Sequence, residues 1–90
     1  MNKNELVEVV SERTGLAKSD SARAVEAVLG AITETLRMGE QVALSGFGTF
    51  VAKTRAARTG RNPRTGEPVA IPASRAPAFK AGKGLKDALN

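Results

Sequence analysis

Neither histidine nor cysteine occurs in this 90-residue chain. Without cysteine there is no disulfide framework, no thiolate nucleophile and no thiolate metal site, and a reducing compartment is compatible. Without histidine as well, the commonest general base and the soft metal ligands are missing. The acidic residues are scattered, and Glu8 and Glu12 have the spacing of a solvated helix face. We therefore expect no enzyme, no metal ion and no cofactor.

Aromatic residues and long apolar stretches are also scarce. Tryptophan and tyrosine are absent, and the only aromatic residues are Phe47, Phe50 and Phe79. These rings stand in apolar alternation, which favours a place in a core over the stacking of bases. The apolar stretch at residues 27–33 is too short for a signal core or a membrane span. We expect a soluble protein that is not exported.

Positive charge is concentrated in the second half of the chain. Residues 1–50 carry five basic and seven acidic side chains, a net charge of −2, whereas residues 51–90 carry nine basic and two acidic ones, a net charge of +7. A basic segment beside a near-neutral one is typical of a polyanion-binding face, although solubility alone is the alternative. The segment RTGRNPRTGEP at residues 58–68 has no aliphatic or aromatic side chain, so it cannot bury itself.

Apolar spacing in the first half predicts two helices joined by a short turn. The first covers Lys3–Thr14, with Asn2 or Asn4 as its N-cap and Gly15 as its end. The second is expected from about residue 18 to residue 38, ended by Gly39, or from a later start capped by Ser19.

Period-two alternation in the second half predicts strands. A β-hairpin is expected from Val42 through SGFG at residues 45–48, where both glycines would permit positive φ, followed by TFVAKTR. A third strand is expected at residues 69–73, with Pro72 and Pro77 confining it to an edge. Between these strands, residues 58–71 would form a protruding arm if Lys53 paired with Ala73. Its tip would be the turn at residues 62–65, with Gly60 and Gly66 allowing the backbone to bend.

The expected fold is α+β: an N-terminal helical hairpin, a three-stranded antiparallel sheet with a long β-ribbon arm, and a short C-terminal helix. We expect one domain, with residues 1–39 as a helical dimerisation base, 40–80 as the sheet with the arm at about 54–73, and 81–90 as the last helix. Three strands and two helices leave much apolar surface uncovered, which favours an intertwined homodimer or heterodimer. Its core would contain Phe47, Phe50, Phe79, Leu29, Ile32, Leu36 and Leu44.

Two further features of the basic half each allow two interpretations. Pro63 either shapes the turn at the arm tip or also acts as a rigid apolar wedge in a base step, and composition alone favours the turn. Three lysines are expected at the start of the last helix, where they either bind a DNA phosphate or are merely solvated. They are Lys80, Lys83 and Lys86.

Four segments resemble the bacterial histone-like HU proteins and their relative, integration host factor. They are GFGTF at 46–50, RAARTGRNP at 55–63, IPAS at 71–74 and PAFKAGKGLKDA at 77–88. The resemblance covers essentially the whole chain, and chain length and IPAS are more similar to HU. It implies an intertwined dimer whose two arms wrap duplex DNA in the minor groove with little sequence preference. It also implies a preference for bent or nicked DNA and compaction of the chromosome in the cytoplasmic nucleoid.

The resemblance also implies roles for single residues and partners. Pro63 matches the family's intercalating proline, and the partner chain would be a second copy or a paralogous HU chain. RNA stays open as a further partner, although a dedicated RNA-binding module would need exposed aromatic rings. A scaffold that docks acidic proteins is a third hypothesis, and no membrane partner is expected. The implied DNA-binding residues are Lys53, Arg55, Arg58, Arg61, Asn62, Pro63, Arg64, Arg75, Lys80, Lys83 and Lys86.

Overall fold

The computed structural model describes residues 1–90 and divides into two units, Met1–Thr35 and Leu36–Asn90. Its three helices and five strands follow the predicted order, which confirms the α+β class. None of the helices is long and apolar enough to cross a membrane. The helices are α1 (Lys3–Thr14), α2 (Lys18–Arg37) and α3 (Lys83–Leu89), and the strands are β1 (Val42–Leu44), β2 (Gly48–Arg55), β3 (Arg58–Arg61), β4 (Pro68–Ile71) and β5 (Ser74–Ala81).

Both ends of α1 are fixed by the residues that the sequence suggested. Of the two candidate caps, Asn2 is the one used: its side chain accepts a hydrogen bond of 2.9 Å from the amide of Glu5. At the other end Gly15 takes a left-handed φ of 73°, and its amide donates to the carbonyl of Ser11. The predicted bounds of this helix are confirmed.

Helix α2 begins before Ser19, so the later start capped by that residue is wrong. Helical bonding already starts at Ala17, whose carbonyl accepts from the amide of Ser21 at 2.9 Å, and this places Ser19 inside the first turn. The helix ends at Arg37 because Gly39, with a φ of 81°, donates its amide to the carbonyl of Leu36. The predicted end at residue 38 was one residue too late.

The strands form two antiparallel sheets rather than one. The larger has the order β1-β2-β5, and β2 pairs with β5 from Gly48 opposite Ala81 to Arg55 opposite Ser74. The smaller is the ribbon β3-β4, paired from Arg58 opposite Ile71 to the turn. The predicted hairpin between β1 and β2 is confirmed, with Gly46 at a φ of 77° in its turn.

The single third strand expected at residues 69–73 was wrong. It is divided into β4 and β5, with Pro72 and Ala73 between them, because Pro72 has no amide to donate to a ladder. Lys53 consequently pairs with Ala76, not with Ala73. The second proline does lie where expected, since Pro77 is on β5 at the edge of its sheet.

Two glycines have a different purpose from the one the sequence suggested. Gly48 and Gly60 both lie inside strands and neither has a positive φ, so neither bends the chain. A Cβ at Gly60 would stand 2.9 Å from Cδ1 of Ile71, and one at Gly48 would meet the ring of Phe79. Position 48 needs glycine because the backbone carbonyl of Lys80 also lies 2.7 Å from the place of a Cβ, whereas at position 60 only the end of the flexible Ile71 side chain occupies that space.

The single chain buries very little apolar surface. Only Val7 and Val25 are buried hydrophobic residues, whereas Phe47 and Phe79 are 48% and 41% exposed. The phenylalanines nevertheless cluster, since the ring centroid of Phe79 lies 4.8 Å from that of Phe50 and 5.6 Å from that of Phe47. Of the other residues assigned to a dimer core, Leu29 and Leu44 are exposed and Ile32 and Leu36 half-buried, so that assignment stays a prediction.

Candidate nucleic-acid interface

The tip of the β3-β4 ribbon is a turn held by its own backbone. The amide of Asn62 donates to the carbonyl of Glu67, and the amide of Gly66 donates to the carbonyl of Asn62, both at 2.8 Å. Gly66 completes the reversal with a φ of 73°, as the sequence predicted. The side-chain oxygen of Asn62 also accepts from the amide of Arg64 at 2.9 Å. These bonds close the turn around Pro63, which is exposed.

Arginines surround this turn without any acidic partner. Arg58 and Arg61 lie on β3, Arg64 lies in the turn, and all three are exposed. None of these three arginines makes an ion pair. Salt bridges are formed instead by residues of α1 and α2. Exposed cations without a protein partner can bind an external anion at no cost in broken ion pairs. Three of the predicted arm arginines are therefore brought together on one ribbon, whereas Arg55, also expected in the arm, lies on β2 of the larger sheet because the β2-β5 ladder extends to it.

Thr59 is a candidate contact that the sequence pattern did not indicate. It is exposed on β3 and lies two residues from Arg61, so the alternation of a strand puts both side chains on the same face of the ribbon. A hydroxyl there can donate to a phosphate or a base edge. A lone threonine in a strand has no distinctive sequence pattern, because threonine is common in strands for its β-propensity.

The larger sheet separates its four basic residues onto two faces. Lys53, Arg55 and Lys80 share one face. Lys53 and Arg55 lie on the same face of β2 as Thr49, because even spacing along a strand keeps side chains on one side, and Lys80 is the cross-strand partner of Thr49. Arg75 is the partner of Thr54 and so lies on the other face, which carries Phe50 and Phe79. Of the four, only Arg75 makes a hydrogen bond, from Nη1 to the carbonyl of Arg37 at 2.8 Å.

The three C-terminal lysines do not gather at the start of the last helix, so that expectation was wrong. Lys80 lies on β5, because the ladder with β2 continues to Ala81 and delays the helix. Lys83 is the first residue of the seven-residue α3, and Lys86 lies in its last turn, where a cation suits the helix dipole. All three side chains are exposed.

Backbone contacts hold α3 against the turn between β1 and β2. The amide of Gly82 donates to the carbonyl of Phe47 at 2.8 Å, and that of Leu85 donates to the carbonyl of Gly46 at 3.1 Å. Gly84 packs on the same carbonyl so closely that a Cβ there would stand 2.5 Å from its oxygen. The lysines of α3 are thus carried by a helix with a fixed base. Nowhere in the chain do three or more acidic side chains gather closely enough to hold a metal ion.

The whole chain is similar to known bacterial proteins. The model of the family described as "Bacterial DNA-binding protein" matches residues 1–90. A protein named DNA-binding protein HU from Geobacillus stearothermophilus is 58% identical over 89 residues, which is 99% of each chain. The chain belongs to the HU family of bacterial DNA-binding proteins. HU-beta from Salmonella typhimurium is 50% identical over the full length of both chains.

Solved structures of the HU family have the same fold. The structure titled "Anabaena HU-DNA cocrystal structure (AHU2)" superposes with a TM-score of 0.88 at 44% identity, covering 99% of this chain and 97% of the other. HU from Thermotoga maritima has a TM-score of 0.70 at 31% identity over all of both chains. These matches confirm the predicted family and fold, and the family is one of non-enzymatic DNA-binding proteins, as the residue content predicted.

Proposed function

We propose that this HU-family protein is an architectural factor that binds duplex DNA as a dimer, places its arms in the minor groove and bends the duplex. The observation that carries the proposal is the exposed β3-β4 ribbon, lined by unpaired arginines and ended by a backbone-closed turn. Residues 58–68 of this ribbon have no aliphatic or aromatic side chain to pack on their own chain, which favours contacts with another molecule. Binding would be tolerant of sequence, and the protein would act in the bacterial nucleoid.

Charge and chemistry both favour a nucleic-acid backbone as that molecule. Residues 51–90 carry a net charge of +7. Most of their basic side chains lie on the ribbon and on the sheet face that carries Lys53, Arg55 and Lys80. The arm uses arginine only, and a planar, weakly hydrated guanidinium suits the narrow, strongly negative minor groove. On one face of the larger sheet, Lys53 and Arg55 lie near the start of the arm and Lys80 lies toward the opposite end of the β2-β5 ladder, so the basic surface continues from the arm along the sheet.

The surface of the single chain supports a dimer. A folded monomer of 9.4 kDa is expected to expose about 5,000 Å², whereas this chain exposes 7270 Å². Part of the excess is apolar, since Leu44, Phe47 and Phe79 are each at least 40% exposed. A second copy, or a paralogous HU chain, would cover these residues and give the assembly two arms.

Pro63 is the residue we propose to enter a base step. It is exposed at the apex of the turn. The backbone hydrogen bonds that close the turn are made by Asn62, Gly66 and Glu67, and none of them involves Pro63. A rigid apolar ring in that position can wedge between bases, which kinks the duplex and favours DNA that is already nicked or bent. The wedge adds to the role of proline in shaping the turn.

The proposal is tested by measuring affinity and bending separately. Affinity for a duplex should fall as salt rises, with a log–log slope of about −0.9 for each phosphate contact. Bending is measured by energy transfer between dyes on the two ends of a nicked duplex and of an intact one. Affinity that did not change with salt would contradict electrostatic binding of the backbone. Stronger competition by single-stranded RNA than by nicked duplex would instead favour an RNA-binding module.

Pro63→Ala separates the wedge from the charge. The variant keeps every arginine, so its salt slope should match that of the wild type. Its bend on nicked DNA should be smaller, and its preference for nicked over intact duplex weaker, because the apolar wedge is removed. Pro68→Ala is the matched control, since Pro68 is the first residue of β4, lies opposite Arg61 and is outside the turn that carries Pro63. Wild-type bending by Pro63→Ala would refute the wedge.

A further inference from the structure

Arg75 differs from every other cation near the arm root in the direction of its side chain. The β2-β5 register places it on the face that carries Phe50 and Phe79, opposite the face of Lys53 and Arg55. A residue on that face cannot contact the same stretch of DNA backbone as the lysine and arginine on the opposite face. Its charge therefore has another role.

That role lies at the end of α2. The last carbonyls of a helix have no intrahelical partner, and Gly39 satisfies the carbonyl of Leu36. The next carbonyl, that of Arg37, accepts from Nη1 of Arg75 at 2.8 Å. A cation at a helix C-terminus is further stabilised by the helix dipole. The guanidinium thus caps α2 from a strand 38 positions away in sequence.

The place of Arg75 along its strand gives this cap a consequence for the arm. Arg75 is the second residue of β5, and the two residues before the strand, Pro72 and Ala73, are unpaired. Its partner across the ladder, Thr54, is the last residue but one of β2. The hydrogen bond to Arg37 is therefore made where the paired sheet ends and the arm begins.

We propose that Arg75 is a positioning residue, which fixes the root of the arm to the end of α2, and that it is not one of the DNA-contacting cations. The arms can hold a duplex at a defined bend only if their roots are fixed to the body. Removing the Arg75 hydrogen bond should leave the charge that faces DNA unchanged and let the arm take a wider range of directions. The role in bending rests on the proposed function, whereas the anchoring of the arm does not.

The anchoring is tested on the free protein by electron-spin distance measurement. The chain has no cysteine, so nitroxides can be attached at Met38→Cys, just beyond α2, and at Thr65→Cys in the arm tip, with labelled chains diluted in unlabelled ones. Arg75→Met should broaden the distribution of distances between the labels, and Arg75→Lys, which keeps a charged donor, should restore it. Arg55→Met is the matched control and should leave the distribution narrow, because Arg55 lies on the opposite face of the sheet from Arg75.

The salt dependence of DNA binding decides whether Arg75 touches phosphate. Arg55→Gln should make the log–log slope shallower by about 0.9, the value for one phosphate fewer in the interface. Arg75→Gln, which keeps a neutral donor, should retain the wild-type slope and the narrow distribution, and if Arg75→Met does not fold, the slope of Arg75→Gln still tests whether Arg75 contacts phosphate. An unchanged distribution in Arg75→Met, or a slope in Arg75→Gln as shallow as in Arg55→Gln, would overturn the proposal. If the wild type failed to bind DNA, the proposed function would fail, and the distance measurement would still decide the role of Arg75.

Discussion

Replacing Gly48 by alanine tests how closely β5 packs on β2. Gly48 is buried and pairs with Ala81, and a Cβ at this position would stand 2.6 Å from Cε1 of Phe79 and 2.7 Å from the carbonyl oxygen of Lys80. The phenylalanine ring can tilt away. The carbonyl is part of the backbone of β5, so it cannot move without disturbing the β2-β5 ladder. Both contacts are closer than real Cβ atoms make.

The expected cost is therefore at the upper end of the range for an overpacked site. Overpacking destabilises by about 1–3 kcal/mol, and we expect about 3 kcal/mol here. For a domain of this size about 1 kcal/mol shifts the thermal midpoint by roughly 4–8 °C, so Gly48→Ala should lower it by about 12–24 °C. The midpoint is measured by circular dichroism at one fixed chain concentration, because association makes it depend on concentration.

Gly30→Ala is the matched control for this substitution. Gly30 lies inside α2, has no positive φ, and has nothing within 4 Å of the position that a Cβ would take. Alanine there should stabilise the protein by about 0.5–1 kcal/mol, because glycine weakens a helix interior. A Gly48→Ala midpoint equal to or above that of the wild type would refute the close approach of the two strands.

Two further predictions concern single side chains. The hydroxyl of Ser21 is fully buried without a hydrogen-bond partner, so Ser21→Ala should raise the free energy of unfolding, measured by urea denaturation, by about 1 kcal/mol. Substitution of the exposed Ser19 by alanine is the control. A loss of stability in Ser21→Ala would show that the hydroxyl has a partner. Asn62→Ala removes the acceptor of the Arg64 amide, so hydrogen exchange at that amide should speed up by roughly 5-fold, about 1 kcal/mol, with no change in the thermal midpoint. Unchanged exchange would contradict the side-chain turn.

The sequence by itself determined the elements whose signals are local. Local signals set the bounds of α1, the hairpin turn at Gly46 and the reversal at Gly66. Each depends on a cap or on a positive φ, and residues close by in the sequence determine both. The arm was predictable for a related reason. A segment with three arginines and no aliphatic or aromatic side chain cannot bury itself in a core, whatever the rest of the fold is.

Only the tertiary structure decided the features that depend on register. The length of the β2-β5 ladder placed Lys80 on a strand rather than a helix and paired Lys53 with Ala76. It also set the direction of Arg75, since a shift of one residue moves every side chain of a strand to the other face. The need for glycine at position 48 arises from Phe79, which is distant in the chain and adjacent in the sheet. Register depends on the sum of many cross-strand contacts, and no short stretch of sequence contains it.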